Sequence, residues 1–280
     1  RAGDSEVPPN VARHPWWSRL LELAARDASR DEDVVIEFDL DGRPGEDPRT
    51  SLFVPLEGTC GTDFGWLESA DRDPPVRGLE PLEENLKECL VCVVPGVFIA
   101  HIGAMLTRPD PCVRLNVGGI HVKALGAYLK AAPWKGDPNA AQAALEALAP
   151  STRGLRLALD VGPAGVATRI GIECFPPVGS LQARPWRPLV DLLVRMGLCL
   201  REKADALDRW PGYDRRASSE RWPPDLAIME RLLGPDAVSF FVRRLSHVKV
   251  AFETTIGDAK AYLAFSHLWL HRRTFEGGSG

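Results

Sequence analysis

Four times along this chain, two runs of alternating apolar and polar residues stand on either side of a turn, and helical spacing fills much of what lies between. Side chains of a strand point to opposite faces with a period of two, so each run defines one apolar and one polar face. The last hairpin is the plainest. From His247 to Trp269 two arms are expected to meet at a turn over Thr255–Asp258. Val248, Val250 and Phe252 share one face of the first arm, and His247, Lys249 and Glu253 share the other. In the second arm Ala261, Leu263 and Phe265 alternate with Lys260, Tyr262 and Ser266. Whether the polar face meets bulk water or an enclosed space decides what the chain can do.

The other hairpins follow the same rule. Ile36, Phe38 and Leu40 alternate with Val35, Glu37, Asp39 and Asp41, and the chain returns through Ser51–Leu56. A second pair flanks Arg108-Pro109-Asp110-Pro111, with Val113, Leu115 and Val117 opposing Arg114 and Asn116. A third crosses Pro163-Ala164-Gly165. There Leu155, Leu157 and Leu159 oppose Arg156, Ala158 and Asp160, while Ile170 and Ile172 oppose Arg169 and Glu173. Helices are expected over 15–28, 79–93, 120–132, 139–148, 186–209 and 225–233. The clearest start is Gly136-Asp137-Pro138, a capping acid followed by a proline in the first turn. Residues 57–78 and 210–224 read as loops.

The predicted fold class is α+β: repeated helix–hairpin units forming an antiparallel β-barrel or strongly curved sheet, with helices on its outer, apolar face. Closure would remove the edges of so wide a sheet and leave the polar faces lining a lumen. One domain over residues 1–276 is expected, and Gly277–Gly280 reads as an added linker.

Composition narrows the functional class. The net charge of −4 argues against broad nucleic-acid binding, with Arg215, Arg216, Arg221 and Trp222 the one basic, aromatic loop. No apolar run approaches the roughly 20 residues of a membrane-spanning helix. Six scattered cysteines suggest buried thiols in a reduced, cytoplasmic protein without disulfides. Cys89 and Cys92 form a CxxC, but inside a helical pattern and without a second pair, so no metal site is expected. His267 and His271 do not converge on a metal when spaced four apart on a strand, and no nucleophile elbow, P-loop or dinucleotide fingerprint is present.

The polar faces gather Glu37, Asp39, His101, Arg114, Asn116, Arg156, Asp160, Arg169, Glu173, Lys249, Lys260 and Tyr262. Cations from several hairpins in one cavity repel one another unless an anion fills it, and a diphosphate suits Arg and Lys. A solvated face of an open sheet accounts for the same residues without any ligand.

The repeated order of helices and hairpins resembles the ABBA prenyltransferases, the PT-barrel family. Lys260-Ala261-Tyr262 resembles that family's inward Lys-x-Tyr pair, and His247-Val248-Lys249 partly resembles its Arg-x-Lys pair. The resemblance implies a prenyltransferase moving a prenyl group from an allylic diphosphate to an aromatic or peptide side chain. Arg114, Arg156, Arg169, Lys249 and Lys260 would bind the diphosphate, with Glu37 and Tyr262 catalytic and Asn116, Glu173 and His247 binding the acceptor. It implies no required cofactor, with Mg tolerated, and no nucleic-acid or membrane partner. Only three tyrosines are present, fewer than the family uses to shield its carbocation. The alternative is a non-catalytic binding module of the same fold, holding a peptide or anionic metabolite. Segments such as LDVG, GIECF and AKAYLAF also resemble uncharacterised bacterial proteins associated with peptide natural products.

Overall fold

The computed structural model describes residues 35–39, 49–56, 80–105, 112–179, 184–215 and 222–271. The expected helix over 15–28, the loop over 57–78 and the turn at 108–111 lie outside them, as does Cys60. Ten strands are described: β1 (Val35–Asp39), β2 (Arg49–Pro55), β3 (Val97–Ala104), β4 (Val113–Gly119), β5 (Gly154–Gly162), β6 (Gly165–Val166), β7 (Ile170–Phe175), β8 (Gly212–Arg215), β9 (Ala237–Phe252) and β10 (Ile256–His271). They hydrogen-bond in the order β1-β2-β3-β4-β5-β7-β9-β10, with β6 on β5 and β8 on β9. Consecutive hairpins therefore join one antiparallel sheet, as the alternation predicts. No pairing among the described residues joins β1 to β10, so the expected closure into a barrel is not seen.

Six helices are described: α1 (Glu80–Val91), α2 (Val122–Ala131), α3 (Pro138–Leu148), α4 (Arg187–Arg195), α5 (Arg201–Arg209) and α6 (Pro224–Leu233). The chain divides into two compact units. The first holds residues 1–150, 154–173 and 250–257; the second holds 151–153, 174–249 and 258–280.

In the first unit α1, α2 and α3 lie on the apolar side of the sheet. Ile102 of β3, Val113, Leu115 and Val117 of β4, and Leu155, Leu157, Leu159 and Val161 of β5 are buried there. Leu82, Leu86 and Leu90 of α1, Leu125 and Leu129 of α2, and Leu145 and Leu148 of α3 complete the core. Each such leucine contributes roughly 2 kcal/mol by leaving water. The cap on α3 forms as expected: the Asp137 carboxylate accepts from the backbone N–H of Asn139 at 2.9 Å and Ala140 at 3.3 Å.

The CxxC belongs to this core rather than to a reactive site. Cys89 is fully buried, and burial, with Cys92 and Glu88 adding to it, pushes its thiol up to about 12. Cys92 Sγ donates to the carbonyl of Ala131 at 3.0 Å. The described cysteines, Cys89, Cys92, Cys112, Cys174 and Cys199, are free thiols.

The chain after residue 180 departs from the sequence reading in five places. The helix expected over 186–209 is broken into α4 and α5, because Gly197 sits at φ 72, a left-handed conformation that ends a helix. The loop expected over 210–224 contains β8, which pairs with β9 from Gly212–Arg243 to Arg215–Phe240. β9 starts ten residues before His247, at Ala237. In β10 the apolar residues Leu263 and Phe265, expected beneath helices, are 47% and 60% exposed. The final turn is also earlier than Thr255–Asp258, since β9 ends at Phe252 and β10 begins at Ile256.

Candidate functional site

The polar side chains of the first unit stand in rows across the strands. Glu37 is opposite Ser51. Val35, Phe53, Gly103, Arg114 and Asp160 make the next row. Pro55, His101, Asn116 and Ala158 make the third, and Phe98, Gly118 and Arg156 the fourth. A β-bulge in β3, between Ile99 and His101, lets both Phe98 and His101 reach this face. Strict alternation would have sent one of them into the core.

Small residues make room for long ones. A Cβ built on Gly103 would meet the Phe53 ring at 2.3 Å, and one on Gly118 would meet the Phe98 ring at 2.3 Å. The two rings therefore lie over the two glycines. Ala158 of β5 stands between Asn116 of β4 and the β7 strand, and its short side chain lets Asn116 reach across to Glu173.

This face is not in bulk water. Arg114 is 8%, Asn116 6% and Glu173 2% exposed. Polar groups buried to that degree need partners, and each of these three side chains has one, although Asn116 Oδ1 has none among the described residues. Arg114 donates to both oxygens of Asp160, Nε to Oδ1 at 2.7 Å and Nη2 to Oδ2 at 2.9 Å, a bidentate pair. Asn116 Nδ2 donates to both oxygens of Glu173 at 3.2 Å. Arg156 Nη1 lies 3.3 Å from His101 Nδ1. A guanidinium has no acceptor, so in this contact the ring nitrogen accepts and the His101 proton sits on Nε2.

The second unit carries a column of rings and cations. The His247 and Tyr262 rings stack with centroids 4.4 Å apart and 12° between planes. Phe175 lies 5.1 Å from His247 on a tilted plane. Lys249 Nζ is 5.9 Å from the Tyr262 centroid, and the Arg153 guanidinium is 5.8 Å from that of Phe175. Lys260, two residues before Tyr262 on β10, is half-buried on the same face.

The structure thus gathers Arg114, Asn116, Arg156 and Glu173 on one polar face of the first unit, with Glu37 further out on that face. It gathers His247, Lys249, Lys260 and Tyr262 in the second. Arg169 is placed otherwise: it precedes β7, outside any strand, and is exposed. Three participants escaped the sequence reading of the site. Asp160 and His101 were on the polar face but had no role, and Ala158 had no signal at all. Registering β4 against β5 residue by residue would have set Arg114 opposite Asp160.

No protein-family model matches this chain, and no curated protein does. Among solved structures the chain is similar to AnaPT from Neosartorya fischeri. The two are 13% identical with a TM-score of 0.47; the likeness covers 91% of this chain and 61% of AnaPT. The chain therefore spans less than two thirds of AnaPT's length.

Proposed function

We propose that this chain is a prenyltransferase, moving a prenyl group from an allylic diphosphate to an aromatic or peptide side chain. The observation that carries the reading is the column in the second unit, where Tyr262 is stacked by His247 and approached by Lys249, with Lys260 on the same face of β10. Cations beside π-faces are what an allylic diphosphate requires. Lys249 and Lys260 receive the diphosphate as the allylic C–O bond breaks and the electron pair leaves with oxygen. The Tyr262 and His247 rings face the cation that remains. The acceptor attacks that cation with its π electrons or a heteroatom, and its proton passes to a base. The charge of Arg114, in the first unit, is already balanced by Asp160.

A second reading is a non-catalytic module holding a peptide or anionic metabolite. It is favoured by the matched pairs in the first unit, Arg114–Asp160 and Asn116–Glu173, which need no incoming anion. Calorimetry with dimethylallyl diphosphate, followed by turnover assays with tryptophan and peptide acceptors, separates the two. Binding and product support the transferase. Binding without product favours the module, and no diphosphate binding ends the transferase reading.

A further inference from the structure

We infer that His247 makes the column a proton-linked anion site: its imidazole takes up a proton when a diphosphate binds at Lys249 and Lys260, so acid strengthens that binding. The inference rests on the transferase reading for its ligand and adds to it a control by pH. A lysine ordinarily keeps its charge across the neutral range, whereas an imidazole ordinarily changes its own between about pH 5 and 8.

The arrangement of charge around the ring carries the argument. Lys249 is two residues on from His247 along β9, which sets their Cα atoms about 7 Å apart on one strand face. Both side chains converge on Tyr262, whose ring centroid lies 5.9 Å from the Lys249 ammonium and 4.4 Å from the His247 centroid. Lys260 stands two residues before Tyr262 on β10. On the side of β7, Phe175 lies against His247, with the Arg153 guanidinium over the Phe175 ring. The acid two residues before Phe175, Glu173, is held by Asn116. Cations grouped around an imidazole disfavour a further positive charge, and an anion bound among them favours it. The imidazolium also offers that anion a charge-assisted hydrogen bond.

Two features let the ring change state in place. Ser246 Oγ lies 3.2 Å from His247 Nδ1. A hydroxyl donates to a bare ring nitrogen or accepts from a protonated one, so the same partner serves both states. The stacked Tyr262 ring and the tilted Phe175 ring present π-faces to the charged form. Proton and diphosphate then strengthen each other's binding by the same factor. The gain is complete below the pKa of the ring in the free protein. It is lost as the pH rises through the higher pKa of the ring beside the diphosphate.

The test titrates dimethylallyl diphosphate into the full chain and into His247→Gln by calorimetry, between about pH 5.5 and 8. Two buffers of different ionisation heat count the protons exchanged on binding. Protonation of the ligand itself is common to both proteins and cancels in the comparison. The wild type should take up more protons than the variant. Its affinity should also rise toward acid by roughly fivefold more. NMR of the wild-type His247 imidazole gives a second reading: its titration midpoint should move up when the diphosphate is bound. If the variant does not fold, that reading decides alone. Equal pH dependence in the two proteins, or a His247 midpoint that the diphosphate leaves in place or lowers, overturns the inference while the transferase reading stands. No diphosphate binding anywhere in the range overturns both.

Discussion

Arg114 and Asp160 face each other across β4 and β5, and the guanidinium closes on both carboxylate oxygens at 2.7 and 2.9 Å. Arg114 was expected to be an anion-binding cation. Its charge is instead balanced from within the sheet, on a face largely withdrawn from water. The pair's worth lies in what its loss exposes, because a buried charge deprived of its partner costs more than the intact pair gains.

Asp160→Ala should therefore destabilise the fold by about 3 kcal/mol. Replacing both partners, Arg114→Met with Asp160→Leu, should recover most of that loss. Urea denaturation of the three proteins measures it. A loss below about 1 kcal/mol in the single variant would mean that water already screens the pair, as at a surface.

Alkali should weaken the fold. Burial raises the Cys89 thiol to about 12, from an ordinary 9.0, and holds the Tyr128 phenol well above its ordinary 10.0. Both groups thus stay protonated in the folded chain while the unfolded chain ionises. Stability from Cys89 is full below about pH 9 and is lost as the pH rises toward 12. Each group contributes at most about 1.4 kcal/mol per pH unit within its window. Denaturation at a series of pH values from 8 to 11 should show the decline, and Cys89→Ala should flatten it. An unchanged slope in that variant would remove Cys89 as a cause.

Lys260→Ala should weaken binding of dimethylallyl diphosphate by roughly 1.5–3 kcal/mol, the worth of a hydrogen bond to a charged group. Thermal unfolding without ligand should change little. Loss of stability with unchanged affinity would assign Lys260 a structural role in β10.

Gly118→Ala should cost about 1–3 kcal/mol, since the new methyl would sit 2.3 Å from the Phe98 ring and force it aside. Combining it with Phe98→Ala should give less than the sum of the two single effects. Strict additivity would show that the ring moves freely off the glycine.

Much of this was readable from local pattern. Alternation put Arg114, Asn116, Arg156, Asp160 and Glu173 on one face because a pleated strand has no other option. The Asp137-Pro138 start of α3 was equally local, a capping acid and a residue with preset φ. The first half of β9 was not readable. Phe240-Phe241 and Arg243-Arg244 break the alternation, so Ala237–Ser246 has no period to detect. Gly197 looked like one tolerable glycine in a helical pattern, and only its left-handed conformation shows that the helix stops there.

By itself, then, the sequence determined which side chains lie on the polar side of each strand, since that depends only on a period of two within each run. Tertiary structure decided which of them meet. Register set Arg114 against Asp160, and the bulge in β3 brought His101 level with Asn116. The smallness of Ala158 joined Asn116 to Glu173 across a strand, a contact between residues 57 positions apart. Tertiary structure also decided which apolar faces are covered. Leu263 and Phe265 alternate as regularly as Leu157 and Leu159, yet the first two are exposed and the last two are buried. Period specifies a face, whereas burial requires another layer to pack on it, and no local pattern encodes where that layer ends.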